Sequence, residues 1–253
     1  MVNIKSLLSN KPKTIKIYLD NSYLKKYTSK VLDIIFERGS RAYIILDRTI
    51  FHPKGGGQPS DIGIIKYNNS IFEVKKVLNI NDVLAHYGKF KTQPFNIGDN
   101  VECELNWNFR YKVMKLHTAG HILDYALREV YGRVVDTIDA MHGPPKAYIT
   151  YNAETPSSGQ LKRIEEIANG IVREDRNVKI VYVNRERLEE VVFNAPNLAR
   201  LPESESYRIV VIEGVNGIPC TGTHLKRTGE ISLIKILGVE KVNDGFKLYY
   251  DAD

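Results

Sequence analysis

Two pairs of side chains able to bind a metal stand about a hundred positions apart in this chain of 253 residues, so the fold is constrained to bring them together if they share an ion. The first pair is His117 and His121 in HTAGH, and the second is Cys220 and His224 in CTGTH. On a helix, positions i and i+4 share a face, so both imidazoles of the first pair can reach one ion. The second pair repeats the spacing and adds a thiolate. Three nitrogens and one sulfur suit zinc, whereas calcium and magnesium prefer oxygen, and the donor set therefore points to one tetrahedral Zn2+ per chain, closed by folding. Either pair alone is also the pattern of ordinary buried or surface side chains. Their conjunction is what favours a metal centre, with Gly217-Ile218-Pro219 before the cysteine and Gly222 after it forming a turn that can hold both side chains inward.

The residues between the two histidines are Thr118, Ala119 and Gly120, without the glutamate of a helical zinc protease, which excludes that class. Four protein ligands fill a tetrahedral shell. The spacing thus leaves open whether the ion activates water or only orients a substrate.

A chain that is 43% hydrophobic can bury a real core, and its length accommodates two units. The alternation over residues 14–105 predicts strands at 15–19, 31–37, 42–46, 63–67, 70–77 and 101–105, with Asn68-Asn69 as a hairpin tip and a short helix over 22–27 capped by Asp20. Short strands separated by turns suggest a small barrel. From Trp107 the period changes to that of a long helix ending at Gly132, followed by strands at 147–151, 178–183, 208–213, 231–237 and 246–250 and helices at 159–173 and 185–192. The expected class is α+β: a small N-terminal β-barrel over residues 1–104, then an α/β layer sandwich over 105–253.

Lys and Arg exceed Asp and Glu by 36 to 30, a net charge of +6 that favours a polyanionic partner without requiring one. The two cysteines, Cys103 and Cys220, occupy different contexts. No disulfide framework is expected, and Cys103 reads as an inert thiol in a strand. The start, MVNIKSLLSNKPK, lacks the apolar core of a secretory signal, and no segment reaches the roughly 18 apolar residues of a membrane span, so the expected location is cytoplasmic with no membrane partner. Nothing in the sequence sets an oligomeric state.

A third feature is FHPKGGGQPSDIG. Gly55, Gly56 and Gly57 give a backbone that a ligand can approach closely, and Gln58 and Asp61 beside it suggest that something polar is held there. The segment has neither P-loop nor dinucleotide-fingerprint spacing.

Together, LDRTIFHPKGGGQPSDIG, KLHTAGHILDYALREVYG and LPESESYRIVVIEGVNGIPCTGTHLKRTGEISLIKI resemble the AlaX family of free-standing alanyl-tRNA editing proteins and the editing portion of alanyl-tRNA synthetase. The resemblance spans nearly the whole chain. It implies His117, His121, Cys220 and His224 as zinc ligands, and hydrolysis of the ester that joins serine, with glycine as a second candidate, to tRNA(Ala). A synthetase pocket that accepts alanine rejects such similar side chains weakly, and a second site that hydrogen-bonds a hydroxyl discriminates better. Under this reading Gln58, Thr118 and Thr223 are candidate catalytic and hydroxyl-recognising residues, joined by Asp136 and Thr137 after the long helix. Gly55, Gly56, Gly57, Asp61, Thr137, Lys226 and Arg227 are candidate substrate contacts, the last two for tRNA phosphates. Backbone amides near Gly222 are expected to serve the oxyanion. HTAGH and CTGTH depart from the HTATH and CGGTH common in the synthetase. The competing readings are editing of a different mischarged tRNA and a tRNA-binding module whose zinc is purely structural.

Overall fold

A computed structural model of the chain describes Leu8 and residues 11–253; most of the MVNIKSLLSNKPK segment lies outside the described residues. The backbone divides into two compact units. The first takes in the chain up to Gly55 together with Pro59–Arg110, and the second takes in Gly56–Gln58 and Tyr111–Asp253. The division falls between Arg110 and Tyr111, inside the long helix, and three residues of the glycine-rich segment belong to the second unit.

The first unit is built on β1 (Ile15–Lys16), β2 (Lys26–Phe36), β3 (Arg41–Leu46), β4 (Arg48–Thr49), β5 (Gly63–Tyr67), β6 (Ser70–Ile80), β7 (Val83–Phe90) and β8 (Asn100–Leu105). Six of them close a barrel in the order β2-β3-β7-β6-β5-β8. Alternate residues such as Val31, Ile44, Ile65, Phe72, Val74, Val101 and Cys103 fill its interior, the period-2 signature of a strand with one buried face. Burial pushes the Cys103 thiol up to about 12, which leaves it inert as expected. The β5–β6 hairpin turns at Asn68, whose φ of 49° lies in the left-handed region that Asn tolerates.

Two local expectations fail here. The helix over 22–27 does not form: a 3-10 turn at Ile17–Leu19 ends at Asp20, and Lys26 instead begins β2, pairing with Glu104 of β8. Closure of the barrel supplies Lys26 and Tyr27 with ladder partners on β8, which outweighs a local helical preference. The strand β7 was not expected, because His86 and Gly88 interrupt its apolar run. His86 is accommodated as a neutral core residue between Thr49 Oγ1 at 2.8 Å and the Ile44 carbonyl at 2.9 Å, with burial lowering it to about 4.

Helix α1 (Trp107–Tyr131) begins in the first unit and continues through the second, where Gly132 stops it with a φ of +67°. The second unit holds two sheets. One runs β14-β15-β10-β9, from β9 (Thr137–Met141), β10 (Ala147–Tyr151), β14 (Ile234–Val242) and β15 (Gly245–Ala252); the other runs β11-β12-β13, from β11 (Val178–Val183), β12 (Tyr207–Ile212) and β13 (Asn216–Pro219). Helix α2 (Ser158–Arg173) starts at a capping box formed by Ser157 and Gln160. Its Asn169 joins β14 through both the Ile234 amide (2.9 Å) and the Ile234 carbonyl (2.8 Å). A short helix, α3 (Leu188–Val191), completes the unit. The α+β class with an N-terminal barrel is as expected, while β9 and β13 are additions that their polar and Pro-Gly compositions concealed. No helix among the described residues is long and apolar enough to cross a membrane.

Candidate metal centre and cleft

Helix α1 buries Val113, Leu116, Ile122, Leu123 and Leu127, and His117 and His121 project from the same stretch one turn apart. Cys220 follows β13 and is set by strand pairing: its amide donates to the Arg208 carbonyl at 3.0 Å, one step beyond the β12–β13 ladder. The turn after it then returns His224 to the same point. The donor atoms of His117, His121, Cys220 and His224 all lie within 4.8 Å of one another, so the cluster could hold a metal ion. Cys220 Sγ is 3.6 Å from His117 Nε2 and 3.4 Å from His224 Nε2. Gly222 makes this approach possible, since a Cβ there would sit 2.2 Å from His117 Cε1.

The three candidate catalytic residues stand behind this cluster. Gln58 Oε1 faces His117 Nδ1 at 3.0 Å and accepts the Thr223 amide at 2.9 Å, while Gln58 Nε2 donates to Thr223 Oγ1 at 3.0 Å. Thr118 Oγ1 faces His224 Nδ1 at 3.1 Å and accepts the Leu225 amide at 3.2 Å. Gln58, Thr118 and Thr223 are buried and are not among the cleft-lining residues. With Nδ1 of His117 and His224 engaged from behind, each Nε2 lone pair is directed at the shared point, the arrangement that orients imidazole ligands. Gln58 and Thr118 thus each contact a histidine of the cluster, and Thr223 contacts Gln58. The Gly222 amide is likewise engaged with Cys220 Sγ at 3.3 Å, and the Thr223 amide with Gln58 Oε1 at 2.9 Å.

His121 differs from the other two histidines. Its Nδ1 is buried without a hydrogen-bond partner among the described residues, and burial, aided by the charges of His142 and Arg208, lowers the ring to about 3. A neutral imidazole with an orphaned nitrogen is what an ion would satisfy. Burial raises the Cys220 thiol, with the Gly222 amide and Arg208 opposing, so a metal would have to displace its proton.

A cleft of about 640 Å³ opens beside the cluster, lined by His117, His121 and Cys220 and by Asp124, His142 and Arg208 among others. Its size suits a small organic group. Burial pushes the Asp124 carboxyl up to about 7, although the Tyr151 hydroxyl donates to it at 2.9 Å. Burial lowers His142 to about 4. Arg208 is buried and donates to the Cys220 carbonyl. None of these three was singled out in the sequence. Asp124 could have been, because it lies three residues after His121 on the same helix face; a lone histidine in MHGPPK and an arginine inside a strand carry no such signal.

Of the remaining expected contacts, Gly56, Gly57 and Thr137 line this cleft and Gly55 does not. Thr137 Oγ1 accepts from Asn197 Nδ2 there. Asp61 belongs to the first unit, where its buried carboxylate is bound by the Arg110 guanidinium and by the His52 amide at 2.5 Å. Arg110 also donates to the Ser22 and Ile50 carbonyls at 2.8 and 2.7 Å, so this buried pair ties together loops of that unit. The Arg227 guanidinium is exposed and is held by Asp175 at 2.7 Å and Asn177 at 3.0 Å. Lys226 is exposed and lies outside the cleft lining.

Residues 10–109 match the family described as tRNA synthetases class II (A), and residues 207–247 match the threonyl and alanyl tRNA synthetase second additional domain. The alanine–tRNA ligase of Sulfurisphaera tokodaii is 34% identical over 249 residues, which is 97% of this chain and 27% of that protein. The alanine–tRNA ligase of Thermofilum pendens is 36% identical over 90% of this chain and 25% of its own length, and that of Ignicoccus hospitalis is 32% identical over 92% and 25%. The chain thus spans about a quarter of the length of these relatives.

Proposed function

We propose that this chain, similar over nearly its whole length to about a quarter of each alanine–tRNA ligase that it matches, is an AlaX-like editing protein, and that it hydrolyses the ester joining serine, with glycine as a second candidate, to tRNA(Ala). The products are the free amino acid and a tRNA with an intact terminal ribose. The observation that carries this reading is the opening of His117, His121 and Cys220 onto one cleft while Gln58 and Thr118 hold the histidines from behind. A cluster of four ligands sealed in a core would suit a purely structural ion; this one has a face available to a ligand.

The donor set of His117, His121, Cys220 and His224 suits zinc, which when bound with one thiolate supplies a centre of formal charge about +1 able to attract a carbonyl or a neutral amine. The residues of the chain then account for binding and selection. Thr137 offers a hydroxyl on the cleft wall to the serine side chain, and an alanyl group would leave that partner unmatched. Arg200 and Arg208 give the same wall positive charge for the phosphate of an incoming tRNA terminus. Gly56 and Gly57 present backbone without side chains, which lets the ester end approach.

The test is deacylation of seryl-, glycyl- and alanyl-tRNA(Ala), with and without a chelator, by the native chain and by Cys220→Ala. Seryl-tRNA(Ala) is expected to be cleaved far faster than alanyl-tRNA(Ala), and both chelation and Cys220→Ala are expected to abolish cleavage while tRNA binding persists. Hydrolysis retained by zinc-free protein would remove the metal from the reaction. Tight tRNA binding with no ester cleaved would assign the chain to a binding module instead.

A further inference from the structure

His142 lies in none of the metal-ligand or glycine-rich motifs, yet its ring stacks on that of His117 with centroids 4.4 Å apart and planes inclined by 12°. Its Nδ1 is 2.6 Å from the Tyr250 hydroxyl, and that hydroxyl donates to the Leu116 carbonyl at 3.0 Å. A tyrosine has one hydroxyl hydrogen, and here it is committed to a carbonyl that can only accept. The Tyr250 oxygen must therefore accept from His142 Nδ1–H, which sets the tautomer and leaves the lone pair on Nε2. Nε2 has no hydrogen-bond partner among the described residues, and the residue lines the cleft. The ring is also clamped: the His142 amide donates to the Gly57 carbonyl at 2.7 Å, and a Cβ on Gly120 would sit 2.6 Å from its Cε1.

We infer that His142 is a catalytic residue whose Nε2 accepts a hydrogen bond from the attacking water, with Tyr250 as the positioning residue that fixes its tautomer. This rests on the ester-hydrolysis reading above. The two oxygens of a scissile ester are acceptors and have nothing to donate to a lone pair, whereas water donates one hydrogen to Nε2 and keeps an oxygen lone pair for the carbonyl carbon. The stack on His117 places that acceptor beside the ligand cluster, and the clamp restricts its orientation.

The experiment measures kcat and KM for seryl-tRNA(Ala), residual cleavage of alanyl-tRNA(Ala), and zinc content for the native chain, His142→Leu, His142→Gln and Tyr250→Phe. His142→Leu is expected to lower kcat by about 10²-fold for both substrates with KM and zinc content little changed. His142→Gln, whose side-chain oxygen can accept near the same point, is expected to recover part of the loss, and Tyr250→Phe to lose part of the native rate. An unchanged kcat in His142→Leu overturns the assignment. So does a loss confined to seryl-tRNA(Ala), which would make Nε2 a reader of the serine hydroxyl, or a loss proportional to missing zinc. If the leucine variant does not fold, an unchanged kcat in Tyr250→Phe overturns it equally. A native chain that cleaves no aminoacyl-tRNA refutes the functional reading itself, a result distinct from any of these.

Discussion

Gln58 Oε1 lies 3.0 Å from Nδ1 of His117, so a glutamine at the end of the glycine-rich segment sets the orientation of a ligand far along the chain. The same oxygen takes the Thr223 amide, next to the other ligand pair. One side chain thus braces both halves of the cluster.

Gln58→Ala is expected to weaken metal binding by about 10- to 100-fold, the usual effect of removing an outer partner of an imidazole ligand. Competition with a chromogenic chelator measures it. The ratio of seryl to alanyl cleavage in the metal-saturated variant should not move; a changed ratio at unchanged metal affinity would return Gln58 to substrate recognition.

Thr118 supports His224 Nδ1 and the Leu225 amide through one buried oxygen. Thr118→Val keeps the shape and removes that oxygen, at an expected cost of about 1–3 kcal/mol in urea unfolding. Thr118→Ser should recover most of it, because the hydroxyl returns. Equal stability of the valine and native proteins would contradict the bond.

Asp61 and Arg110 form an ion pair with side-chain exposures of 1% and 0%. Removing one partner leaves a buried, uncompensated charge, so Asp61→Ala is expected to cost about 3–5 kcal/mol. Denaturant titration followed through the first unit should show it. A well-folded Asp61→Ala protein with impaired substrate affinity would instead support the original expectation of a ligand contact.

Asp124 makes a pH-dependent contribution with a definite sign. Burial lifts its carboxyl from 3.8 to about 7, so between those values the folded chain holds a proton that the unfolded chain has released. Its contribution to stability is full below the unfolded value and is lost as pH rises toward the folded one, with a slope of up to roughly 1.4 kcal/mol per pH unit. In metal-free protein, the stability of Asp124→Asn relative to the native chain should therefore grow from about pH 4 to about pH 7 and then level off. Urea midpoints that track one another across that range would refute it.

Much of the architecture was legible from local pattern. The strands at Gly63–Tyr67, Ala147–Tyr151 and Val178–Val183 fall where alternation placed them, and α1 ends at Gly132, because each signal depends on neighbours in sequence. The metal-ligand spacings were equally visible, since i and i+4 on a helix are geometric facts of the backbone. The failures occurred where closure of the barrel decided the outcome: Lys26–Lys30 became strand through pairing with β8, and β7 gained its place between β3 and β6 despite a histidine and a glycine.

The roles within the site divide in the same way. Residue type and spacing picked out His117, His121, Cys220 and His224 as candidate donors, because coordination chemistry restricts which atoms can serve, and the fold gathers their donor atoms within 4.8 Å of one another. Which polar residues face the cleft and which brace the ligands depended on contacts spanning 165 residues for Gln58 with Thr223 and 108 for His142 with Tyr250, and no local pattern encodes a contact of that range. Packing alone turned Gln58, Thr118 and Asp61 inward, and packing alone brought His142 to the cleft wall.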